Sequence, residues 1–390
     1  MIPIAKPLLG HEEAEAARRA VLSGWVSQGP QVAAFETEFA SYTGAAFACA
    51  VSNCTTALHL ALLGVGVGPG DEVITVSHSF IAGANAIRQC GATPVFVDIE
   101  PDGYNIDPRR VAEAIGRNTR AILAVHQMGM PCDLPALKRL AGSFGLPLVE
   151  DAACAIGSEI LLEGACHRIG RPIGDVVCFS FHPRKVITTG EGGMLTTDNP
   201  ELDALFRLWR QHGMSVSDTA RHGSSSVIFE DYSLRGYNYR MTDIQAAIGR
   251  EQLRRLPGIV ARRRALADRY RTALNGVFGI TLPAEPKWAR SNWQSFPIGL
   301  SDQIDQRKLM QAMLDRGIAT RRGIMNMHQE AAQADLPRPF PLPNSEKARD
   351  HSVLLPLYAQ MSRADQDQVL FGLCKALAET AAPSRLARAD

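Results

Sequence analysis

The sequence predicts an α/β protein: a large domain on a mostly parallel seven-stranded sheet, followed by a smaller C-terminal α+β domain. Three observations carry this expectation. Between Phe47 and Thr197, seven short apolar segments alternate with segments of helical period, the pattern of parallel strands with helices on both faces. Past Glu201 the helical pattern dominates and only scattered strand signals return. A length of 390 residues accommodates two domains. We expect residues 1–250 to form the large domain and 251–390 the small one.

Residues 11–23 have helical periodicity and stop at Gly24. Trp25-Val-Ser-Gln-Gly-Pro30 reads as a loop, and a second helix runs through Val32, Phe35, Phe39 and Tyr42. The seven expected strands are Phe47–Val51, Val73–Val76, Pro94–Asp98, Ala121–His126, Leu148–Asp151, Val176–Phe181 and Met194–Thr197. Helices are expected at Thr55–Leu63, Ile81–Cys90, Pro108–Ile115 and Leu134–Phe144. Farther on, Ile244–Leu256 and Val260–Leu274 read as two long helices; Arg262, Arg263 and Arg264 suggest a phosphate site but read better as a solvated helix face. Strands at Ser295–Leu300 and Ala319–Arg322 with helices at Gln306–Arg316 and Ala364–Leu377 make up the small domain. The Pro-rich stretch Leu336–Pro343 reads as a surface loop.

Composition narrows the function. Hydrophobic content of 46% and charged content of 21% are those of an ordinary globular protein. A net charge of +1 gives no electrostatic case for nucleic acid or an anionic membrane as partner. No apolar run reaches the roughly 18 residues of a membrane span, and Met1-Ile-Pro-Ile-Ala-Lys lacks the apolar region of a signal peptide. The eight cysteines are scattered, without metal-ligand spacing; no metal is expected. Cys49, Cys90, Cys178 and Cys374 read as small buried hydrophobes, and a reducing cytoplasm is the expected location.

The chemistry gathers at strand ends, where open α/β sheets bind ligands. From Ser180 to Asp198 the chain reads strand, loop with Lys185, glycine turn, strand. Pro183 ends the first strand, and Gly190, Gly192 and Gly193 permit close approach to a bound group. A lysine so held can form a Schiff base; in isolation it reads as a solvated loop lysine. Ser52-Asn-Cys-Thr-Thr56 sits between a strand and a helix, where free N–H groups and hydroxyls suit a phosphate; the same residues are ordinary helix caps. Asp151 closes an apolar strand, where a carboxylate needs a cationic or hydrogen-bonded partner, or caps the following helix. Phe80 follows another strand and can stack on a planar ring, or pack in the core. Ser180 can reach an anion. Phosphate cradle, stacking ring, carboxylate and lysine together describe a pyridoxal phosphate site.

The chain resembles the DegT/DnrJ/EryC1/StrS aminotransferases over nearly its whole length. The blocks that carry the resemblance are Ser23–Pro30, Gly66–Ile74, Gly91–Asp98, Glu150-Asp-Ala-Ala153, Ser180–Gly193 and Gly236-Tyr-Asn-Tyr-Arg-Met-Thr-Asp-Ile-Gln-Ala-Ala247. The resemblance implies the transferase fold type I and pyridoxal 5′-phosphate (PLP) as cofactor. It implies Lys185 as the Schiff-base lysine and Asp151 as partner of the ring nitrogen. Thr55, Thr56 and Ser180 would hold the phosphate, and Phe80 would stack. Cys54 and Cys154 also fall in the cofactor-binding set. Cys54 stands where the family usually has Gly or Ala, and Cys154 where His or Gln usually meets the ring hydroxyl; a thiol is a weak donor and acceptor. Asn238 would reach the phosphate across a homodimer interface. A related branch of dehydratases has His in place of Lys185 and is disfavoured.

The implied reaction moves an amino group from L-glutamate to a nucleotide-linked keto-sugar, or to an aminocyclitol ketone. Trp25, Arg321 and His328 would line the acceptor site; Arg321 reads equally as a surface residue and His328 as a packed core histidine. The rival from another class is a PLP-binding regulatory protein without turnover, which would be coloured but not bleached by glutamate.

Overall fold

The computed structural model describes residues 1–216 and 221–380. Strands β1 (Phe47–Val51), β2 (Glu72–Val76), β3 (Thr93–Val97), β4 (Thr119–Val125), β5 (Leu148–Asp151), β6 (Glu159–Leu162), β7 (Ala165–Arg168), β8 (Val176–Ser180) and β9 (Gly193–Thr197) occupy its first half. Seven of them form the central sheet in the order β1-β9-β8-β5-β4-β2-β3. Both pairings of β9, with β1 and with β8, are antiparallel and the other pairings are parallel, so all seven expected strands are present in a mostly parallel sheet.

Each strand is apolar on both faces because both faces are covered. Ile122 and Ala124 of β4 enter one core, and Ala121 and Leu123 enter the other. The same alternation holds in β2, where Ile74 and Val76 oppose Val73. Helices α1 (His11–Leu22), α2 (Pro30–Thr43), α3 (Cys54–Gly64), α4 (Ala82–Gln89), α5 (Pro108–Ala114), α6 (Leu134–Ser143) and α7 (Pro200–Trp209) belong to this half. α1 ends before Gly24, whose φ of 80° is left-handed. Asp243 ties the start of α2 from afar, accepting from the N–H groups of Gly29 (2.8 Å), Gln31 (3.0 Å) and Val32 (2.9 Å).

The two long helices expected after residue 243 are one. α8 (Asp243–Leu274) runs for 32 residues through Pro257. A proline there removes one helical hydrogen bond and costs about 3 kcal/mol, but the helix is held by packing along its length. Leu253, Leu256, Ile259 and Val260 enter the large core, and Leu266, Ala267, Tyr270 and Leu274 enter a second one. The basic run on α8 is a solvated face only at Arg262; Arg264 is half-buried and Arg263 buried. Arg263 is 6% exposed and donates to the carbonyls of Trp293 (2.9 Å), Gln294 (2.5 Å) and Leu357 (3.1 Å). Arg262 donates to Met361 O (2.7 Å) and Arg264 to Ser291 O (2.9 Å).

Strands β10 (Ile280–Thr281), β11 (Ala289–Arg290), β12 (Phe296–Leu300), β13 (Arg321–Arg322) and β14 (Ser352–Leu355) and helices α9 (Gln306–Asp315), α10 (Pro343–Asp350) and α11 (Arg363–Thr380) follow, and the second core lies chiefly among β12, β14, α9 and α11. A four-stranded sheet runs β10-β12-β14-β13. Ile2 joins this core and bridges Ile318. A hairpin of β6 and β7, extended by β11, was not expected. Its turn is Glu163-Gly164, both at positive φ (50° and 80°). That geometry suits a two-residue hairpin, but Glu is not its usual residue. Cys49, Cys90 and Cys178 are buried as expected, while Cys374 is exposed on α11. Among the described residues, no helix is long and apolar enough to cross a membrane.

Candidate active site

The parallel strands deliver their carboxyl ends to one edge of the sheet. Val125 pairs with Asp151, Asp151 with Cys178, Ser180 with Gly193, and Gly193 with Val51. Chain segments leaving these ends surround a cavity of about 710 Å³. Cys54, Thr55, Thr56 and Phe80 line it, as do Asp151, Cys154, Ser180, Lys185 and Arg321.

On one side α3 begins at the cavity. Asn53 caps it, accepting from Thr56 N–H at 3.0 Å. Thr56 Oγ1 donates back to the Asn53 carbonyl at 2.7 Å, so its proton is committed to the cap. Thr55 has no such commitment among the described residues. Gly193 brings the lysine-bearing turn against this cap: a Cβ there would lie 2.4 Å from Asn53 O. This close approach is the physical need for glycine at that position.

Lys185 lies in a turn closed by its own N–H to His182 O (2.8 Å). Its Nζ donates to Cys154 Sγ at 3.2 Å. Burial pulls the amine down, but Cys154, Asp151 and Cys54 outweigh it and hold the amine above its ordinary value. Asp151 is 8% exposed at the end of β5. Burial pushes its carboxyl up, against the opposing pull of the Ala153 N–H, Lys185 and His126. Ala153 N–H donates to Oδ1 at 2.9 Å, leaving Oδ2 for a ligand. Behind it, His126 Nδ1 accepts from Cys132 N–H (3.0 Å), so its Nε2–H donates to the fully buried Glu150 (3.2 Å). Ser180 Oγ accepts from His182 N–H at 3.4 Å and keeps its own proton. Phe80 is 55% exposed at the cavity wall rather than packed in the core.

Three expected residues stand apart from this cavity. Trp25 packs edge-on against His222 (5.4 Å between ring centres). His328 is buried between Ser77 Oγ (2.6 Å) and Glu346 Oε1 (3.3 Å), as a core histidine. Asn238 is exposed and bridges Gln211 through the backbone. Its neighbours Tyr237 and Tyr239 stack on each other (4.9 Å, 9°), and the Tyr239 hydroxyl meets His59 Nδ1 (3.2 Å). The aromatic pair therefore finds partners within its own chain. Arg184, Gln294 and Ser295 line the cavity without having been expected. The signal for Arg184 was its place beside Lys185; Gln294 and Ser295 arrive from a distant segment with no local signature.

These groups fit PLP. A helix start with an uncommitted hydroxyl and N–H groups suits a phosphate. A buried carboxyl with raised proton affinity suits a cationic ring nitrogen, and a single amine faces the space between them.

The comparisons agree. Residues 7–373 match the DegT/DnrJ/EryC1/StrS aminotransferase family. The Bacillus subtilis spore coat polysaccharide biosynthesis protein SpsC is 36% identical over 375 residues, covering 95% of each chain. The aminotransferase TlmJ of Streptoalloteichus hindustanus superposes with a TM-score of 0.88 at 35% identity, over 97% of this chain and 99% of its own. Helicobacter pylori PseC, an aminotransferase involved in the biosynthesis of pseudoaminic acid, gives 0.89 at 25% identity, over 97% and 99%. The chain belongs to the DegT/DnrJ/EryC1/StrS aminotransferase family and is a PLP-dependent aminotransferase of fold type I.

Proposed function

We propose that this enzyme moves an amino group from L-glutamate to a keto-sugar carried on a nucleotide. The observation that carries the reading is the convergence of Lys185, Asp151 and the start of α3 on one cavity, beside the guanidinium-bearing residues Arg184 and Arg321. Its volume of about 710 Å³ is that of a small-molecule site, and guanidinium groups at its wall suit an anionic acceptor such as a diphosphate. The polysaccharide and pseudoaminic acid in the names of SpsC and PseC support a carbohydrate acceptor.

Bound PLP supplies an aldehyde for the amino group and a protonated ring that accepts the electrons left when a proton departs from carbon. The chain supplies the rest. Lys185 Nζ would hold the aldehyde and, as a free amine, would move a proton as general base and acid. Cys154 Sγ gives that free amine an acceptor to rest against. Ala153 N–H fixes Asp151 Oδ1, and Oδ2 would hold the ring nitrogen in its protonated form. Thr55 and Ser180 donate to the phosphate; Thr56 serves it by fixing the helix start. Phe80 covers one ring face. Asn238 reaches the phosphate of a second copy in a homodimer; its exposure, and that of Val227 (85%) and Phe229 (91%) in the preceding segment, supports this. Residues 1–250 act as the cofactor unit and 251–390 as the small unit; the two separate cores support a division into two units, with Ile2 crossing into the small core and Leu253, Leu256, Ile259 and Val260 of α8 into the large one.

The test has two steps. The purified yellow enzyme should bleach on addition of L-glutamate. It should then regain colour with a nucleotide-linked keto-sugar from a panel, with aminated product detected by mass spectrometry. Bleaching with recovery only on free sugars or cyclitol ketones would overturn the nucleotide-linked acceptor. Colour without bleaching by any amino acid would overturn the transaminase reading.

A further inference from the structure

The segment that enters the small sheet grips the backbone on both sides of Lys185. Asn292 Nδ2 donates to the carbonyl of Cys154 at 2.8 Å and to that of Ile156 at 2.8 Å. Gln294 Nε2 donates to the carbonyl of Arg184 at 3.0 Å. Trp293, between them, has φ 52°, an uncommon conformation for a bulky residue that must be held by its surroundings. It sets two amides, two positions apart, on two cavity segments at once. Their own geometry is fixed in turn. Asn292 Oδ1 accepts from Gln294 N–H (2.8 Å), and Gln294 Oε1 accepts from Ser295 Oγ (2.9 Å). From the opposite side, buried Arg263 holds the carbonyls of Trp293 and Gln294. Two of the three gripped residues are the Cys154 that meets Lys185 Nζ and the Arg184 that precedes it.

We propose that Asn292 and Gln294 are positioning residues that clamp the Lys185 amine against Cys154, so that the seating of the small unit sets the reactivity of the lysine. This rests on the reading of Lys185 as the Schiff-base lysine. Neither residue needs to touch substrate or cofactor. The groups facing the amine are Cys154 from the turn after β5, Asp151 from β5 and Cys54 from α3, with His182 on its own loop. Loosening the clamp moves the amine away from Cys154 and removes an interaction that favours its protonated form. Its titration midpoint then falls.

The test is a double-mutant cycle on the full chain. Gln294→Met is the main variant, because Gln294 is half-buried and Met keeps the shape without the donor; Asn292→Ser is the companion, and its burial makes folding less secure. With PLP removed, amine labelling at Lys185 is followed against pH by peptide mass spectrometry; with PLP bound, the visible absorbance is titrated. Gln294→Met and Cys154→Ala should each lower the labelling midpoint by about half a pH unit or more, and the double variant should fall no further than Cys154→Ala alone. An unchanged midpoint in Gln294→Met, or fully additive shifts, would overturn the clamp. Borohydride trapping of PLP separates this from the underlying reading. A label mapped to another residue removes Lys185 as the Schiff-base lysine, whereas a label on Lys185 with unaltered midpoints removes the clamp alone.

Discussion

Thr56 Oγ1 donates to the carbonyl oxygen of Asn53 at 2.7 Å, closing the cap of α3 from inside the chain. Two adjacent threonines that read alike in sequence thereby differ in hydrogen bonding: Thr56 is committed to the cap, and Thr55 has no such commitment among the described residues. Thr55→Ala should remove a charge-assisted donor to the phosphate and weaken PLP binding by about 10-fold or more, with little effect on the stability of the cofactor-free protein. Thr56→Ala should cost about 1 kcal/mol of stability. PLP titrations and thermal melts of both variants check the pair; equal losses of affinity would return Thr56 to the phosphate.

Asp151 gives opposite predictions with and without cofactor. Burial raises its folded-state proton affinity, so its contribution to stability is fullest below the unfolded carboxylate value. That contribution falls as pH rises through the folded one. Without PLP this buried carboxyl contributes less to stability at neutral than at acid pH. Asp151→Asn should therefore raise the melting temperature of the cofactor-free protein by about 2 °C. The same substitution should cripple proton transfer in the loaded enzyme, because an amide cannot balance a ring cation. A cofactor-free protein that melts lower, or a loaded one with unchanged kcat, would make Asp151 structural.

Arg263 links the large and small cores. Removing its guanidinium leaves carbonyls of Trp293, Gln294 and Leu357 without donors in a nearly closed space. Arg263→Met should cost roughly 3 kcal/mol, measured by urea unfolding. A loss within about 0.5 kcal/mol would mean that water replaces the guanidinium.

What the sequence made legible follows the range over which each signal acts. The central strands could be read because double-sided burial writes continuous apolar runs such as Val176–Phe179. That Lys185, Asp151, Phe80 and Thr55 line one cavity could be read because each sits at, or within a few residues after, the end of a strand, a position that topology makes meaningful. The β6–β7 hairpin could not, since Glu163-Gly164 adopts its turn without the usual Asn-Gly. Pro257 argued for a break that packing against two cores overrides. Arg263 looked like part of a charged face because its carbonyl partners lie 30 or more positions away. Asn292 and Gln294 had no local pattern at all. Their role exists only where two distant segments meet, as does the core placement of His328.

Asn238 offers the sharpest test of assembly. It is exposed and does not line the cavity of its own chain, although the neighbouring Tyr239 does. The tyrosines on either side are satisfied internally, so they give the segment rigidity without requiring a partner. Asn238 is thus presented to solvent on a fixed backbone, held by the bridge to Gln211. If it contacts the phosphate of a second copy, Asn238→Asp sets a carboxylate against that dianion and abolishes PLP retention. Lys185→Ala is inactive for a different reason, the loss of the amine. In a hybrid dimer of the two variants, one site carries both lesions and the other neither. Mixing the inactive proteins and allowing subunits to exchange should restore activity, up to about one quarter of wild type per total subunit for random pairing at equal amounts. Hybrid formation is verified by mass spectrometry of differently tagged chains. Verified hybrids without recovered activity would put Asn238 in the same site as its own Lys185, or outside the site altogether.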